Sequence, residues 1–259
     1  MKNNSFIKFL GTAGARFVVA KQLRASGGVY IFAKGQSIII DPGPGTLVKC
    51  STSKPPIDVS KLSAIILTHA HIDHSNDTNI LIDAMTGGGL KKQGLLFAPR
   101  QCLEGENAVV FSYLRDFLEK IIILEARKHY RIGELRFSTS LRHQHSVETY
   151  GIKFDLDGRL VSFLVDTKYF PELQEDYRNS DILVINVVRN TPFEGNDILH
   201  LSLTDAKEII AAIRPRKAIL THFGMTMLRS KPWELAKDLT RELGVEVIAA
   251  SDGMRLEID

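Results

Sequence analysis

Four of the residues in Thr68-His69-Ala70-His71-Ile72-Asp73-His74 carry side chains that can hold a metal ion. Imidazole nitrogens and carboxylate oxygens are ligands of Zn²⁺, and they also serve Mn²⁺ and Fe²⁺. The run starts where the apolar stretch 64–67 ends and stops before a segment with helical pattern. In that place its side chains converge on a cleft rather than on a core. On a tight loop, alternate residues face one point and their neighbours another. His69 and His71 can therefore share one ion, and Asp73 and His74 a second. A plain solvated loop explains the run less well, because three scarce histidines cluster here with an aspartate.

A single loop cannot close a site for two ions, so further ligands must come from elsewhere. Asp166 ends the apolar run VSFLVD, and His222 ends KAILTH. His145 lies in RHQHSVETYG, just before the run TYGIKFDL. Ionisable groups flanked by apolar runs are costly unless partnered, and metal ions are such partners. Asp41 ends SIIID in the same way; it is either an acceptor that orients a ligating histidine or an Asx turn before Pro42. Gly11 and Gly14 in GTAGA let backbone N–H groups approach an anion, or simply end a strand. His129 and His143 neighbour basic residues and are expected on the surface. His200 falls on a loop before a helix for which Thr204 is the expected N-cap.

The elements that must position these groups can be read from periodicity and punctuation. Strands are expected at 6–10, 29–33, 37–41 and 64–68, then at KIIIL, LRFSTS, YGIKFDL, RLVSFLVD, DILVINVV, KAILT and VEVIAA. Asp157-Gly158 marks a hairpin turn. Helices are expected at 76–85, stopped by Gly87-Gly88-Gly89, and at 99–118, 171–178, 204–213 and 232–243. The strands come in two batches, so two mixed sheets packed face to face, with helices on the outer faces, would bury them: an α/β protein of αββα type. No linker divides the chain, and residues 1–259 are expected to form a single domain, with 87–130 its variable insertion. AIILTH (64–69) and KAILTH (217–222) are a faint internal echo.

Composition narrows the class further. The 259 residues are 44% hydrophobic and 24% charged, as in an ordinary soluble domain. A net charge of +3 permits an anionic substrate without arguing for a nucleic-acid scaffold. Cys50 and Cys102 form no CxxC pair and suit a reducing compartment. Lys8 and Arg16 interrupt the faint signal-peptide look of the N-terminus, and no run is long enough to span a membrane. A cytoplasmic protein is expected.

HAHIDH resembles the HxHxDH signature of the metallo-β-lactamase superfamily. The resemblance extends through GTAG, IIIDPG, HS..TYG, FLVDT and ILTHFG, nearly the whole chain. It implies an αββα sandwich with a dinuclear metal site along one edge. It further implies that His69, His71 and His145 hold one metal, that Asp73, His74 and His222 hold the second, and that Asp166 bridges them. No cysteine enters the set, which suits two divalent ions, zinc first, with manganese or iron as alternatives. Two such ions can generate a hydroxide and polarise an electrophile together. Asp73, besides being a ligand, and His200 are the candidate catalytic groups. The cytoplasmic expectation counts against a secreted lactamase.

The segment HLSLTDA…LTHFG resembles the ribonuclease Z branch and the related cyclic-phosphodiesterase group, which implies a metal-dependent hydrolase acting as a phosphodiesterase or nuclease. That branch carries a long tRNA-gripping arm between the positions matched by Asp166 and His200. Here those residues are too close in sequence for such an arm. A small-molecule phosphodiester or a short nucleic acid is the expected substrate. A lactone or thioester hydrolase, with Tyr169 or Tyr150 near the metals, is the alternative within enzymes; a metal-binding scaffold or binding module is the alternative outside them. No membrane partner is expected, and a homodimer stays open.

Overall fold

Strands whose two faces are both apolar need a cover on each side, and the chain supplies it by stacking four layers. The computed structural model describes residues 5–26, 28–192 and 199–259. The first sheet is built from β1 (Phe6–Phe9), β2 (Val29–Ala33), β3 (Gln36–Ile40), β4 (Ala64–Ile66), β5 (Leu95–Pro99) and β6 (Lys120–Leu124). The second contains β7 (His129–Ile132), β8 (Leu135–Arg142), β9 (Tyr150–Leu156), β10 (Arg159–Leu164), β11 (Ile182–Asn186), β12 (Lys217–Thr221) and β13 (Glu246–Ala249). The last strand, β14 (Arg255–Glu257), returns to the first sheet beside β1. The orders are β14-β1-β2-β3-β4-β5-β6 and β7-β8-β9-β10-β11-β12-β13.

Each sheet runs through antiparallel pairings and then through parallel ones. The two sheets are thus topological copies, with β3 matching β10 and β4 matching β11. Asp41 and Asp166 follow β3 and β10, so they hold corresponding places. The echo between AIILTH and KAILTH falls on β4 and β12, which do not correspond; it reflects a shared strand-end chemistry rather than the repeat.

Alternation along the strands explains the layers. Ile38, Ile40, Ala64 and Ile66 face Val161, Phe163, Val184 and Ile219 in a core shared by both sheets. Their neighbours Ile39 and Ile65 face outward and pack with Leu81, Ile82 and Met85 of a helix, Thr78–Thr86. On the opposite side, Leu183, Ile185 and Leu220 pack with residues of the helices Leu203–Ile213 and Pro232–Leu243. In chain order the helices are α1 (Ala15–Ala20), α2 (Thr46–Thr52), α3 (Ile72–Ser75), α4 (Thr78–Thr86), α5 (Ser112–Arg115), α6 (Glu172–Asp176), α7 (Leu203–Ile213), α8 (Met225–Arg229) and α9 (Pro232–Leu243). Among the described residues, no helix is long and apolar enough to cross a membrane.

Most expected strands stand within a residue or two of their places. The turn Asp157-Gly158 has positive φ at both positions, 53° and 81°, as the twist of a two-residue hairpin requires. Gly87, at φ 60°, ends α4 in the left-handed conformation. Three expectations fail. No helix spans 99–118: β5 ends at Pro99, a short 3₁₀ turn takes Arg100–Cys102, and only α5 is helical beyond it. Gly105, at φ 87°, breaks the segment, while Leu103, Val110, Leu114 and Leu118 still bury themselves in the outer core. Their apolar pattern recorded burial, not a helical face. Residues 87–130 are no dispensable insertion either, since they supply β5 and β6 of the first sheet. The N-cap of α7 is Ser202, not Thr204, and Asp205 closes a reciprocal capping box with it. The elements α1, α2, α8, β7 and β14 are short and were not expected.

The capping box gives a direct test of that correction. Ser202→Ala should cost about 0.5–2 kcal/mol of stability, whereas Thr204→Ala, on the exposed first turn, should lie within about 0.5 kcal/mol of wild type. Urea denaturation of the two variants measures the difference.

Candidate metal centre

Parallel strands present their carboxyl ends to one crevice, which is where open α/β sheets bind ligands. Asp41 leaves β3 there, Thr68 and His69 follow β4, and Asp166 follows β10. Asn186 ends β11, and His222 follows β12. His71 stands at the N-cap of α3, which carries Asp73 and His74. His145 comes from the loop between β8 and β9, and His200 from the loop before α7.

These side chains gather into two adjoining groups. Donor atoms of His69, His71, His145 and Asp166 all lie within 4.8 Å of one another, and so do those of Asp73, His74 and His222. Asp166 stands between them: its Oδ2 is 3.4 Å from His74 Nε2 and 3.9 Å from His69 Nε2, and its Oδ1 is 3.5 Å from His222 Nδ1. The sets implied by the resemblance are thus brought together, with the aspartate at their junction.

The donors fit divalent cations on physical grounds. His74 Nε2 faces His222 Nε2 at 2.9 Å, and His145 Nε2 faces His71 Nδ1 at 3.0 Å. His69 Nε2 and His222 Nδ1 are buried without a hydrogen-bond partner. A buried polar atom left unsatisfied costs roughly 1–3 kcal/mol, and each of these nitrogens asks for an electrophile. The opposite ring nitrogens are held by the protein. His74 Nδ1 meets Asp41 Oδ2 at 3.0 Å, His145 Nδ1 meets Leu199 O at 3.0 Å, and His69 Nδ1 meets Thr68 Oγ1 at 3.0 Å. Donation outward fixes each tautomer and leaves the inner lone pair free. Asp41 also accepts from Thr68 N and Thr68 Oγ1, at 2.7 and 2.6 Å. It is an orienting acceptor, and no Asx turn to Pro42 forms.

The cluster's charges are strongly coupled. Burial opposes a charge on His74, yet the carboxylates of Asp73, Asp166 and Asp41 outweigh it and hold its pKa well above the ordinary value. Burial also opposes the charged form of Asp166, but His222, His74 and His200 hold its carboxyl well below the usual range. Burial, aided by the neighbouring His74, pushes His69 far down, and burial pushes His145 down to about 4. Neutral imidazoles are the ligating form.

Backbone geometry shows how tightly the loops are drawn together. Asp41 and His222 sit at φ 50° and 60°, a region non-glycine residues seldom occupy. Gly14 packs so closely on His222 that a Cβ there would lie 2.1 Å from the His222 carbonyl oxygen. A Cβ on Gly43 would likewise strike the Asp73 carbonyl at 2.0 Å. Gly14 therefore serves close packing, and its N–H donates to Phe223 O, so it does not wait for an anion.

The sequence reading misplaced His143 and passed over Tyr177 and Asn186. His143 is not on the surface: it is 2% exposed, with Nε2 2.8 Å from Tyr177 Oη and Nδ1 3.3 Å from Asp166 O. Burial pushes its pKa down to about 4. Asn186 Nδ2 donates to Asp166 Oδ1 at 2.8 Å and steadies the carboxylate. A polar residue ending the apolar run DILVIN was the available signal. His129 is exposed, as expected. The phenols of the alternative reading are engaged elsewhere, Tyr150 with Glu148 and Tyr169 with Gln174.

A cleft of about 610 Å³ opens over the centre, lined by His71, His145, His200, Arg16, Phe17 and Arg189 among others. His200 Nε2 lies 3.2 Å from Asp166 Oδ2, and its side chain remains 24% exposed. Burial disfavours its charge, but Asp166 outweighs burial and raises its pKa.

Close packing on His222 makes a testable demand. Gly14→Ala places a methyl group against backbone that no rotamer change can move. It should cost about 1–3 kcal/mol and loosen the His222 loop. Denaturation curves and chelator resistance measure both effects; wild-type values for both would show that the contact is slack.

Comparison with known proteins converges on one family. The family model for the beta-lactamase superfamily domain matches residues 36–223. An uncharacterised protein of Methanocaldococcus jannaschii is 30% identical, across 97% of this chain and 94% of its own. Ribonuclease Z of Borrelia garinii subsp. bavariensis is 23% identical, across 97% of this chain and 96% of its own. Among solved structures, the metallo-beta-lactamase fold protein YhfI from Bacillus subtilis superposes with a TM-score of 0.81 at 20% identity, covering 99% of this chain and 100% of its own. A diphosphatase of the PhnP family superposes with a TM-score of 0.73 at 21% identity, covering 98% and 97%. The matched domain spans most of the chain and holds the His/Asp cluster, and the chain belongs to the metallo-β-lactamase superfamily.

Proposed function

We propose that this protein is a dinuclear metal-dependent phosphodiesterase acting on a small phosphodiester or a short nucleic acid. The observation that carries the reading is the position of His200. It touches Asp166 at the junction of the two ligand groups and lines the cleft that Arg16 and Arg189 also line. A phosphodiester transition state gathers negative charge on its non-bridging oxygens and on the departing oxygen, and cationic donors there stabilise it. Relatives named ribonuclease Z and a structural neighbour named a diphosphatase support the same chemistry. The two buried free thiols, Cys50 and Cys102, suit a cytoplasmic setting.

His69, His71 and His145 would hold one ion, Asp73, His74 and His222 the other, and Asp166 would touch both. When bound, such a pair supplies Lewis acidity and lowers the pKa of water into the neutral range. Zinc suits the nitrogen-rich set best. The remaining steps belong to side chains. Asp41, Thr68 and the Leu199 carbonyl hold the imidazoles in one tautomer, and Asn186 fixes Asp166. Arg16 draws an anion into the cleft, where exposed Phe17 offers an apolar face to the rest of the substrate. His200, whose pKa Asp166 raises against the opposing effect of burial, gives its proton to the leaving oxygen.

Metal content tests the base of this reading. Protein purified without chelator should hold about two equivalents of divalent metal per chain. Asp166→Ala should lose at least half of that metal and nearly all hydrolysis, while its far-ultraviolet circular dichroism stays native. Protein that neither contains nor takes up transition metal would sink the reading.

Substrate preference and His200 test the rest. Bis-p-nitrophenyl phosphate and related diesters should exceed a panel of lactones in kcat/KM; the reverse preference would promote the carbonyl-hydrolase alternative. His200→Ala should keep its metal and lose on the order of 10²–10³ in rate. The loss should be larger for an alkoxide leaving group than for p-nitrophenolate. A proton donor works only when protonated, so wild-type kcat/KM should fall as pH rises through the pKa of His200. Asp166 raises that pKa and bound cations lower it. His200→Gln should erase this alkaline limb, and an unchanged pH profile would return His200 to a passive place on the loop.

A further inference from the structure

Lys8 lies in β1, on the outer face of the first sheet, and is only 8% exposed. Lysine is almost never fully buried unless it is paired. Its ammonium donates to Ser53 Oγ and, at 3.2 Å, to Lys54 O, and both acceptors are neutral. Among the described residues no carboxylate forms an ion pair with it. An ammonium has three donors, and neither of these two acceptors carries a negative charge.

The side chain ends at the wall of a cavity of about 290 Å³, which Lys49, Thr52, Ser53, Lys54 and Asp252 also line. Three lysines meet one carboxylate there, and that carboxylate is already engaged. Asp252 Oδ1 accepts from Thr12 Oγ1, and Oδ2 accepts from Ala25 N. Lys8 also walls a neighbouring cavity of about 180 Å³, where the only nearby acid, Asp58, is held by Ser60 and Lys61. On neither side does a carboxylate pair directly with Lys8, and in both cavities the cationic side chains outnumber the acidic ones. Positive charge in excess along a walled cavity favours an anion from outside.

Lysines act as point charges with free rotation, which suits the tetrahedral oxygens of a phosphate group better than the planar fork of a carboxylate. Excess positive charge in the cavity calls for a multiply charged anion. We propose that this pocket binds a phosphate-group anion at a site separate from the metal centre; it shares no lining residue with the cleft over the metals. The inference is independent of the phosphodiesterase reading. The phosphate belongs either to a free ion or to a polynucleotide backbone passing over this face.

The test titrates inorganic phosphate into the metal-loaded protein, with chloride at matched ionic strength as control. Melting temperature and calorimetric affinity are followed in wild type and in Lys8→Met. Phosphate reaching the metals acts on both proteins and cancels in the comparison. Lys8→Met should lose the second, chloride-insensitive binding step or weaken it about tenfold or more. In phosphate-free buffer it should melt at or above wild type, because part of the cavity's excess positive charge has gone. A phosphate response identical in the two proteins overturns the proposal. So does a Lys8→Met protein that is less stable without phosphate and responds to it normally, since Lys8 would then be a satisfied structural cation. Should Lys8→Met not fold, Lys49→Ala combined with Lys54→Ala removes the more accessible charges, and the same criterion on phosphate binding applies. Displacement of bound phosphate by a thymidine hexanucleotide assigns the source to a polynucleotide; retention assigns it to a free ion.

Discussion

Nitrogen faces nitrogen at the heart of this molecule, and the surrounding structure exists to hold that arrangement. His74 and His222 meet at 2.9 Å, His145 and His71 at 3.0 Å. Neutral rings so placed can share at most one proton per contact, and His69 Nε2 and His222 Nδ1 are still left without partners. Carboxylates answer the problem only in part. Asp166 and Asp73 pull protons onto His74, as its raised pKa records, while burial strips them from His69. One imidazole is driven to be charged and its neighbour, with ring centroids 4.1 Å apart, to be neutral. A cation that takes the place of the His74 proton answers the carboxylates and leaves both rings neutral, so the donor set suits a metal better than more hydrogen bonds.

Holding such a centre demands stiffness from loops, which are ordinarily the mobile parts of a fold. Here the stiffness comes from strands and from contacts between backbones. Parallel strands β3, β4, β10, β11 and β12 deliver their ends to one line, and Asp41 ties β3 to β4 through Thr68. Asp41 and His222 are held at positive φ, a conformation that persists only where surroundings over-determine it. Gly14, Gly28 and Gly43 let the opposing loops touch at backbone distance, where any Cβ would force them apart. The same sheet-to-sheet core that stabilises the chain therefore also sets the spacing of the candidate donor groups.

What could be read from sequence divides along a physical line. HAHIDH was legible because its donors are local and its meaning does not depend on packing. The strands were legible because burial of both faces leaves continuous apolar runs, as in SIIID and VSFLVD. His143 was misread because Arg142 beside it is exposed; a register shift between Thr139 and Arg142 turns the chain so that His143 points inward. Alternation of exposed Arg142, buried His143 and exposed Gln144 was there to be seen. Asn186 and Tyr177 gain their meaning only from the approach of β11 and α6 to the site, and no local pattern encodes that. The apolar segment 99–118 misled for the opposite reason: its side chains are buried, but a turn at Gly105 carries them instead of a helix.

The architecture also bears on substrate size. Between Asp166 and His200 the described chain forms α6 and β11, both packed into the second sheet's outer core through Leu173, Leu183 and Ile185. Residues 193–198 lie outside the described part. Alignment with ribonuclease Z runs over 317 positions, against 259 residues in this chain, so that relative carries additional segments. A chain that spends this stretch on its own core has little left to grip a large folded RNA. Recognition then falls to the walls of the cleft itself, where α1 contributes Arg16 and Phe17 on one side and the region around α8 contributes Gly224, Met225 and Thr226 on another. Such walls share one cleft with the candidate ligands His71 and His145, so they are placed to read what is directly attached to the reacting group. On the proposed phosphodiesterase reading, selectivity depends on the groups flanking the phosphate, and changes in α1 should alter substrate choice while leaving the His/Asp cluster intact.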